Sequence, residues 1–129
     1  MTRMLAALAV SATLLASAGE AAVTEDNFLM RTTGDLAALC SAESSDPLMT
    51  PALNFCHGFG VGVYQVLREE TAASPSTQLF CVPVPAPSRN SVVADFVRWS
   101  RANPGQMSQP PAEGLVRFLA QQYPCRAGR

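Results

Sequence analysis

Four cysteines, Cys40, Cys56, Cys81 and Cys125, all stand downstream of a short N-terminal apolar run, and that arrangement constrains the fold most. Thr2-Arg3-Met4 gives a positive start, Leu5 to Leu15 is largely apolar, and Ala16-Ser17-Ala18 has the small-x-small form that signal peptidase cuts after. The run is too short to cross a hydrocarbon core of about 30 Å, which takes roughly 20 helical residues. Residues 1–18 are therefore expected to be a signal peptide, cut after Ala18 or a few residues later, with one domain over 19–129. No cysteine follows the expected cut, which argues against a lipid anchor there. An even number of cysteines in an oxidising compartment pairs off. The cysteines then act as staples, and the expected location is the periplasm.

Composition removes several partners. Every basic residue is arginine, and once Arg3 leaves with the leader the remainder is slightly acidic. No basic stripe is present to neutralise phosphates, so a nucleic-acid partner is not expected. No second membrane segment follows, so the processed chain is expected to stay off the membrane.

Prolines divide the remainder into helix-length blocks with a 3.6-residue apolar period. In the first block, Thr24 to Ala42, Leu36, Leu39 and Cys40 share a face. Thr33 suits an N-cap, and Thr24 can cap an earlier turn carrying Phe28 and Leu29. The second helix is expected to start at Thr50-Pro51, cap then proline, and to run to about Thr71. Its stripe is Ala52, Phe55, Cys56, Phe59, Val63, Val66 and Leu67. Leu79 to Pro87 carries Pro83, Pro85 and Pro87, which remove donors and fix φ, so it reads as an extended strap. Ser88 or Asn90 caps a third helix with Val93, Phe96, Val97 and Ser100 inward and Arg89, Arg98 and Arg101 outward. Asn103-Pro104-Gly105 stops it. A fourth helix starts between Ser108 and Pro111, with Ala112, Leu115, Val116, Leu119 and Tyr123 as its stripe, and Pro124 ends it. No segment alternates with period two long enough for a strand. The expected fold is all-α: about four helices, stapled by disulfides and crossed by a proline-rich strap.

The densest motif is Phe55-Cys56-His57-Gly58-Phe59-Gly60-Val61-Gly62. A haem attachment site needs C-x-x-C-H, and Leu53 stands three before Cys56, so haem is excluded. A phosphate loop follows a strand, whereas these glycines lie inside a helical stripe. Gly58 and Gly62, one turn apart, are expected to admit a close neighbour, so that Gly62→Leu would cost about 1–3 kcal/mol by overpacking. His57 is the sole histidine. With no second histidine and poor substitutes in Met49 and Met107, no metal or other cofactor is expected. His57, Val61, Tyr64 and Arg68 recur at helical spacing on a face apart from the main stripe. Such a mixed face serves either packing or protein contact, and His57, Tyr64 and Arg68 are the candidate partner contacts. Catalysis has little support: oxidised cysteines offer no thiolate, no serine is matched to a histidine and an acid, and Asp95 and Glu113 suit ordinary exposed helix faces. Trp99 suits the edge of the core or an interface anchor.

The order of residues is also informative. Asp35-Leu36-x-x-Leu39-Cys40, Phe55-Cys56-His57-Gly58-Phe59-x-x-Gly62-x-Tyr64 and Phe80-Cys81-x-Pro83 come first. Phe96-Val97-x-Trp99 with Asn103-Pro104, and Phe118-Leu119-x-x-x-Tyr123-Pro124-Cys125, follow. This pattern resembles the Rap/Tai family of type VI secretion immunity proteins. The resemblance implies a small helical periplasmic protein, often dimeric, that binds a papain-like peptidoglycan amidase toxin and blocks its cleft. It would be an inhibitor and no enzyme. The alternative from another class is a small helical periplasmic chaperone of the HdeA type, which must expose apolar surface in acid. Two disulfides would resist such opening. Variable loops suited to partner contact are Ser41 to Thr50 and Ala72 to Gln78.

Four cysteines allow three connectivities. About nine extended residues of strap cover roughly 30 Å, enough to bring Cys81 back along the second helix. Cys56–Cys81 with Cys40–Cys125 is the expected pairing.

Overall fold

In the computed structural model residues 22–125 are described, and the expected signal peptide lies outside them. Four helices carry the fold: α1 (Thr33–Cys40), α2 (Met49–Ala73), α3 (Arg89–Ala102) and α4 (Pro111–Gln122). Three short 3₁₀ turns, Glu25–Leu29, Pro75–Thr77 and Pro104–Gln106, punctuate the connections. No strand occurs among the described residues, so the domain is the all-α, disulfide-stapled bundle that the periodicity implied.

The shortest helix sits at the centre. α1 packs against α2, α3 and α4, and Thr33, Leu36, Leu39 and Cys40 of its eight residues are buried. Leu36 and Leu39 meet Phe96 of α3, Leu115, Phe118 and Leu119 of α4, and Ala52 and Cys56 of α2 in one core. Burying a Leu or Phe side chain stabilises by roughly 1.5–3 kcal/mol, so this short segment organises most of the apolar driving force. Phe96, Trp99 and Phe118 form an aromatic cluster with centroids 5.5–5.9 Å apart. Trp99 therefore packs at the core edge, and its indole N–H donates to Gln121 Oε1 at 2.7 Å.

An eight-residue helix is too short to hold itself in water, and its start is fixed by side chains and by a distant loop. Thr32 is the N-cap, one residue ahead of the expected Thr33: its hydroxyl accepts from the Asp35 N–H at 3.2 Å, while Asp35 Oδ2 accepts from the Thr32 N–H at 2.9 Å. That reciprocal pair is a capping box. Thr33 instead turns inward. Its N–H donates to Gln109 O at 2.7 Å, its hydroxyl lies 2.9 Å from Gln109 O and 3.0 Å from Pro110 O, and the Gly34 N–H donates to Met107 O at 2.9 Å. The loop before α4 is thus tied to the first turn of α1.

Asp35 also accepts from Asn27 Nδ2 at 3.0 Å. Burial raises the Asp35 pKa, but the bonds from Asn27, Thr32 and the Arg31 backbone outweigh it and leave the carboxyl below its usual value. A lowered folded pKa contributes stability that is present above the unfolded pKa and lost as pH falls through the folded one. Asp35→Ala is expected to destabilise by about 1 kcal/mol at neutral pH. Its deficit relative to wild type should shrink below about pH 4, where the unfolded-state carboxylate protonates. Urea melts of both proteins across that range check the sign.

α2 departs from expectation in three ways. It starts at Met49, because Asp46 Oδ1 accepts from the Leu48 N–H at 2.8 Å and sets the turn before Thr50-Pro51. It runs to Ala73, and only Ala52 and Cys56 of its stripe are fully buried. Phe59, Val63 and Leu67 are half-buried against the core, while Phe55, in edge contact with Phe28, and Val66 stay exposed. Amphipathic spacing reports which face is apolar, and the short α1 can cover only part of so long a face.

The close approach expected at Gly58 and Gly62 is not found: beyond the adjoining backbone of α2 itself, nothing lies within 4 Å of a Cβ built at either. Gly114 of α4 takes that role, seated against Thr33. Substituting Gly62 now carries the opposite expectation. Gly62→Ala should stabilise by about 0.5–1 kcal/mol, the helical penalty of glycine relative to alanine. Thermal melts check it.

Of the two caps expected for α3, Ser88 serves: its hydroxyl accepts from the Ser91 N–H at 3.1 Å, and Asn90 lies inside the helix. α4 turns Gly114, Leu115, Phe118 and Leu119 inward, leaving Ala112 exposed. The inner face is rotated from the expected stripe because Gly114 must meet Thr33. The strap after Thr77 is extended, with Phe80 buried, Val84 almost fully exposed, and the Cys81 N–H donating to Tyr123 O at 2.8 Å.

All four cysteines are paired, but the pairing differs from expectation. The bonds are Cys40–Cys56 and Cys81–Cys125, with Cα separations of 5.2 and 4.9 Å. Cys56 faces α1 in the core, where Cys40 is its neighbour. The strap meets the end of α4 instead, and the Cys81–Tyr123 backbone bond places Cys125 beside Cys81.

Candidate functional site

The face of α2 that carries His57, Val61, Tyr64 and Arg68 does not pack into the core. It forms one wall of a cleft of about 380 Å³. The strap supplies the opposite wall through Phe80 and Val82, α3 contributes Arg89, Val92 and Val93, and Leu115 and Leu119 of α4 with Tyr123 just after it close the base. The three candidate contact residues are thus brought to one concave surface, spaced along about three turns of helix. Tyr64 leans on Phe80, with ring centroids 6.3 Å apart. This contact joins helix to strap.

His57 stands between two depressions. Besides this cleft it borders a shallower one with Cys40, Ser41 and Ala42 at the end of α1 and with Arg98 and Arg101 of α3. Ser41 and Ala42 open the loop that leads to α2, so the first of the two loops expected to contact a partner reaches His57. The second of those loops closes a further groove of about 620 Å³ through Thr77 and Gln78, which also touches Tyr64, Arg68 and Phe80.

The cleft lining suits recognition. The cysteines carry no thiol, and among the described residues no cluster of three or more His, Cys, Asp or Glu side chains could hold a metal ion. Asp95 pairs with Arg98, and Glu113 with Arg117 at 2.8 Å, each within its own helix. At the cleft base, burial and then the charge of Asp95 raise the Tyr123 pKa above its usual value. The phenol therefore stays neutral at physiological pH and keeps a proton to donate. Aromatic rings, arginines and aliphatic floor residues are what protein-binding surfaces concentrate.

The walls that face α2 were not legible as a site. Phe80 was visible only beside a cysteine, and Arg89 only as an outward residue of α3. Phe80 joins His57, Tyr64 and Arg68 from the strap that the Cys81–Cys125 bond ties to the end of α4, and Arg89 joins them from the first turn of α3.

A stapled helical domain with a concave surface of aromatic, aliphatic and arginine side chains has the make-up of a small binding protein. The sequence model of the Rap1a immunity proteins matches residues 32–125, from the cap of α1 to the last cysteine. The chain belongs to the Rap1a immunity protein family, in agreement with the Rap/Tai resemblance of its motifs. No curated relative and no solved structure matches it at a significant level.

Proposed function

We propose that this immunity protein is exported, loses residues 1–18 and acts in the periplasm. There it binds a peptidoglycan-cleaving amidase delivered by a type VI secretion system and inhibits it, without catalysing any reaction itself. Membership of the Rap1a family over nearly the whole described domain carries this reading. The export-like leader and two disulfides support the compartment. No described helix is long and apolar enough to cross a membrane. A rigid, stapled surface suits an inhibitor because it loses less entropy on docking.

The test is protection. Expression with the leader should rescue a sensitive cell from a co-encoded amidase, while the leaderless form should not. The purified oxidised protein should form a stable complex with that amidase and lower its cleavage of peptidoglycan. If no amidase encoded nearby is bound or inhibited at micromolar concentration, the reading fails. Suppression of client aggregation in acid would then favour the chaperone alternative.

Homodimerisation is part of the same proposal. Phe59, Val63, Val66 and Leu67 of α2 with Ala112 and Val116 of α4 leave a shallow, mostly apolar face. Val66→Glu should hold the protein as a monomer in light scattering if that face joins two copies. A dimer that persists in this variant uses another surface.

A further inference from the structure

We infer that the cleft between α2 and the strap receives an extended segment of the partner protein in which apolar side chains flank a carboxylate. This rests on the reading of the chain as an inhibitor that works by binding.

The floor is aliphatic and aromatic, built from Val61, Phe80, Leu115 and Leu119. Its volume of about 380 Å³ is at the small end of ligand-pocket sizes, roughly 300–1,000 Å³. That admits a few side chains and no folded element. The adjoining groove of about 620 Å³ shares Tyr64, Arg68, Phe80 and Val82 and continues to Thr71. The trough along α2 from His57 to Thr71 is therefore roughly 20 Å long at 1.5 Å per residue. About six residues of extended chain, at some 3.3 Å each, match that length.

The charge is one-sided. Arg68 and Arg89 line the cleft and, among the described residues, no carboxylate does, although the whole chain has a formal net charge of −1. Among the described residues Glu70 is the one carboxylate lining the adjoining groove. Asp95, the acid near Tyr123, is engaged by Arg98. Arg68 sits 3.9 Å from Glu69 with both side chains largely exposed, a loose surface pair that a better acceptor can replace. Arg89 is the first residue of α3, where a cation opposes the helix dipole. Helix stability does not explain it, whereas a guanidinium at the mouth of a cleft is suited to a carboxylate.

Panning a phage-displayed random heptapeptide library on the oxidised protein, with R68E/R89E as counter-target, tests this. Enriched peptides should carry an Asp or Glu flanked by apolar residues. A labelled enriched peptide should bind R68E/R89E at least about tenfold more weakly, and V61W, which fills the floor, should also lose it while keeping the wild-type melting curve. A lysine substituted for the acid should restore affinity for R68E/R89E. Enrichment without acidic residues, no enrichment over R68E/R89E, or unchanged binding to either variant overturns the inference. Amidase binding is measured on the same proteins. An amidase that binds wild type and R68E/R89E equally removes this inference and leaves the immunity reading standing. Peptide selection as expected with no amidase bound does the reverse.

Discussion

Gly114→Ala is expected to lower the melting temperature by roughly 10–20 °C, although alanine is the better helix former by about 1 kcal/mol. A Cβ at Gly114 would lie 2.8 Å from Thr33 Cβ, and closer still to its Oγ1 and Cγ2. Thr33 is fully buried and cannot swing aside. Its hydroxyl and N–H are engaged by the loop carbonyls before α4, so displacing it strands buried polar groups at about 1–3 kcal/mol each. Overpacking adds about 1–3 kcal/mol. Thr33→Ala alone should destabilise by about 1–3 kcal/mol through the lost hydroxyl bonds. In the double variant the two costs should be clearly less than additive, because Thr33→Ala removes the two nearest atoms. Denaturant melts of the four proteins supply the cycle. Full additivity would mean that Gly114 and Thr33 do not meet as described.

Replacing Cys40 and Cys56 together by alanine should cost about 3 kcal/mol or more, and replacing Cys81 and Cys125 about 4 kcal/mol, from the loop lengths alone. The sequence separations are 16 and 44. The two deletions should differ in what is lost. Cys40 and Cys56 are buried in the core, so their removal should also leave a cavity and loosen α2 from α1. Cys125 is exposed and Cys81 half-buried, so losing that bond should release the strap and open the cleft while the core stays packed. Hydrogen exchange should show the second effect confined to the strap and the end of α4. Peptide mapping without reductant should recover Cys40–Cys56 and Cys81–Cys125 fragments; a Cys56–Cys81 fragment would contradict the fold.

Helices, strap and family were legible because they rest on local signals. Proline positions, the Ser88 cap and the spacing of apolar residues act within a few residues of chain. What failed depended on the neighbours of a helix. Gly58 and Gly62 look like packing glycines, yet α1 is too short to reach them. Gly114 attracted no notice because its reason is Thr33, far away in the chain. The pairing of four cysteines is likewise a statement about tertiary neighbours. Of the candidate site, the α2 wall was readable from the spacing of His57, Tyr64 and Arg68. Its facing wall was not, since no local signal says where an extended strap will lie.

After Cys56, α2 continues for seventeen residues to Ala73 without a single fully buried side chain. Substitutions outside the core and its polar ties usually change stability by no more than about 0.5 kcal/mol. Its exposed positions, Gln65, Arg68, Glu69 and Glu70 among them, can therefore be rewritten almost without penalty to folding, while Phe59, Val63 and Leu67 stay packed against the core. The root of the helix, locked by Cys56 and Ala52 against α1, has no such freedom. One continuous helix thus holds a fixed grip at one end and an editable text at the other. A lineage under pressure to follow a changing adversary would find its raw material there, without first having to invent a more stable scaffold.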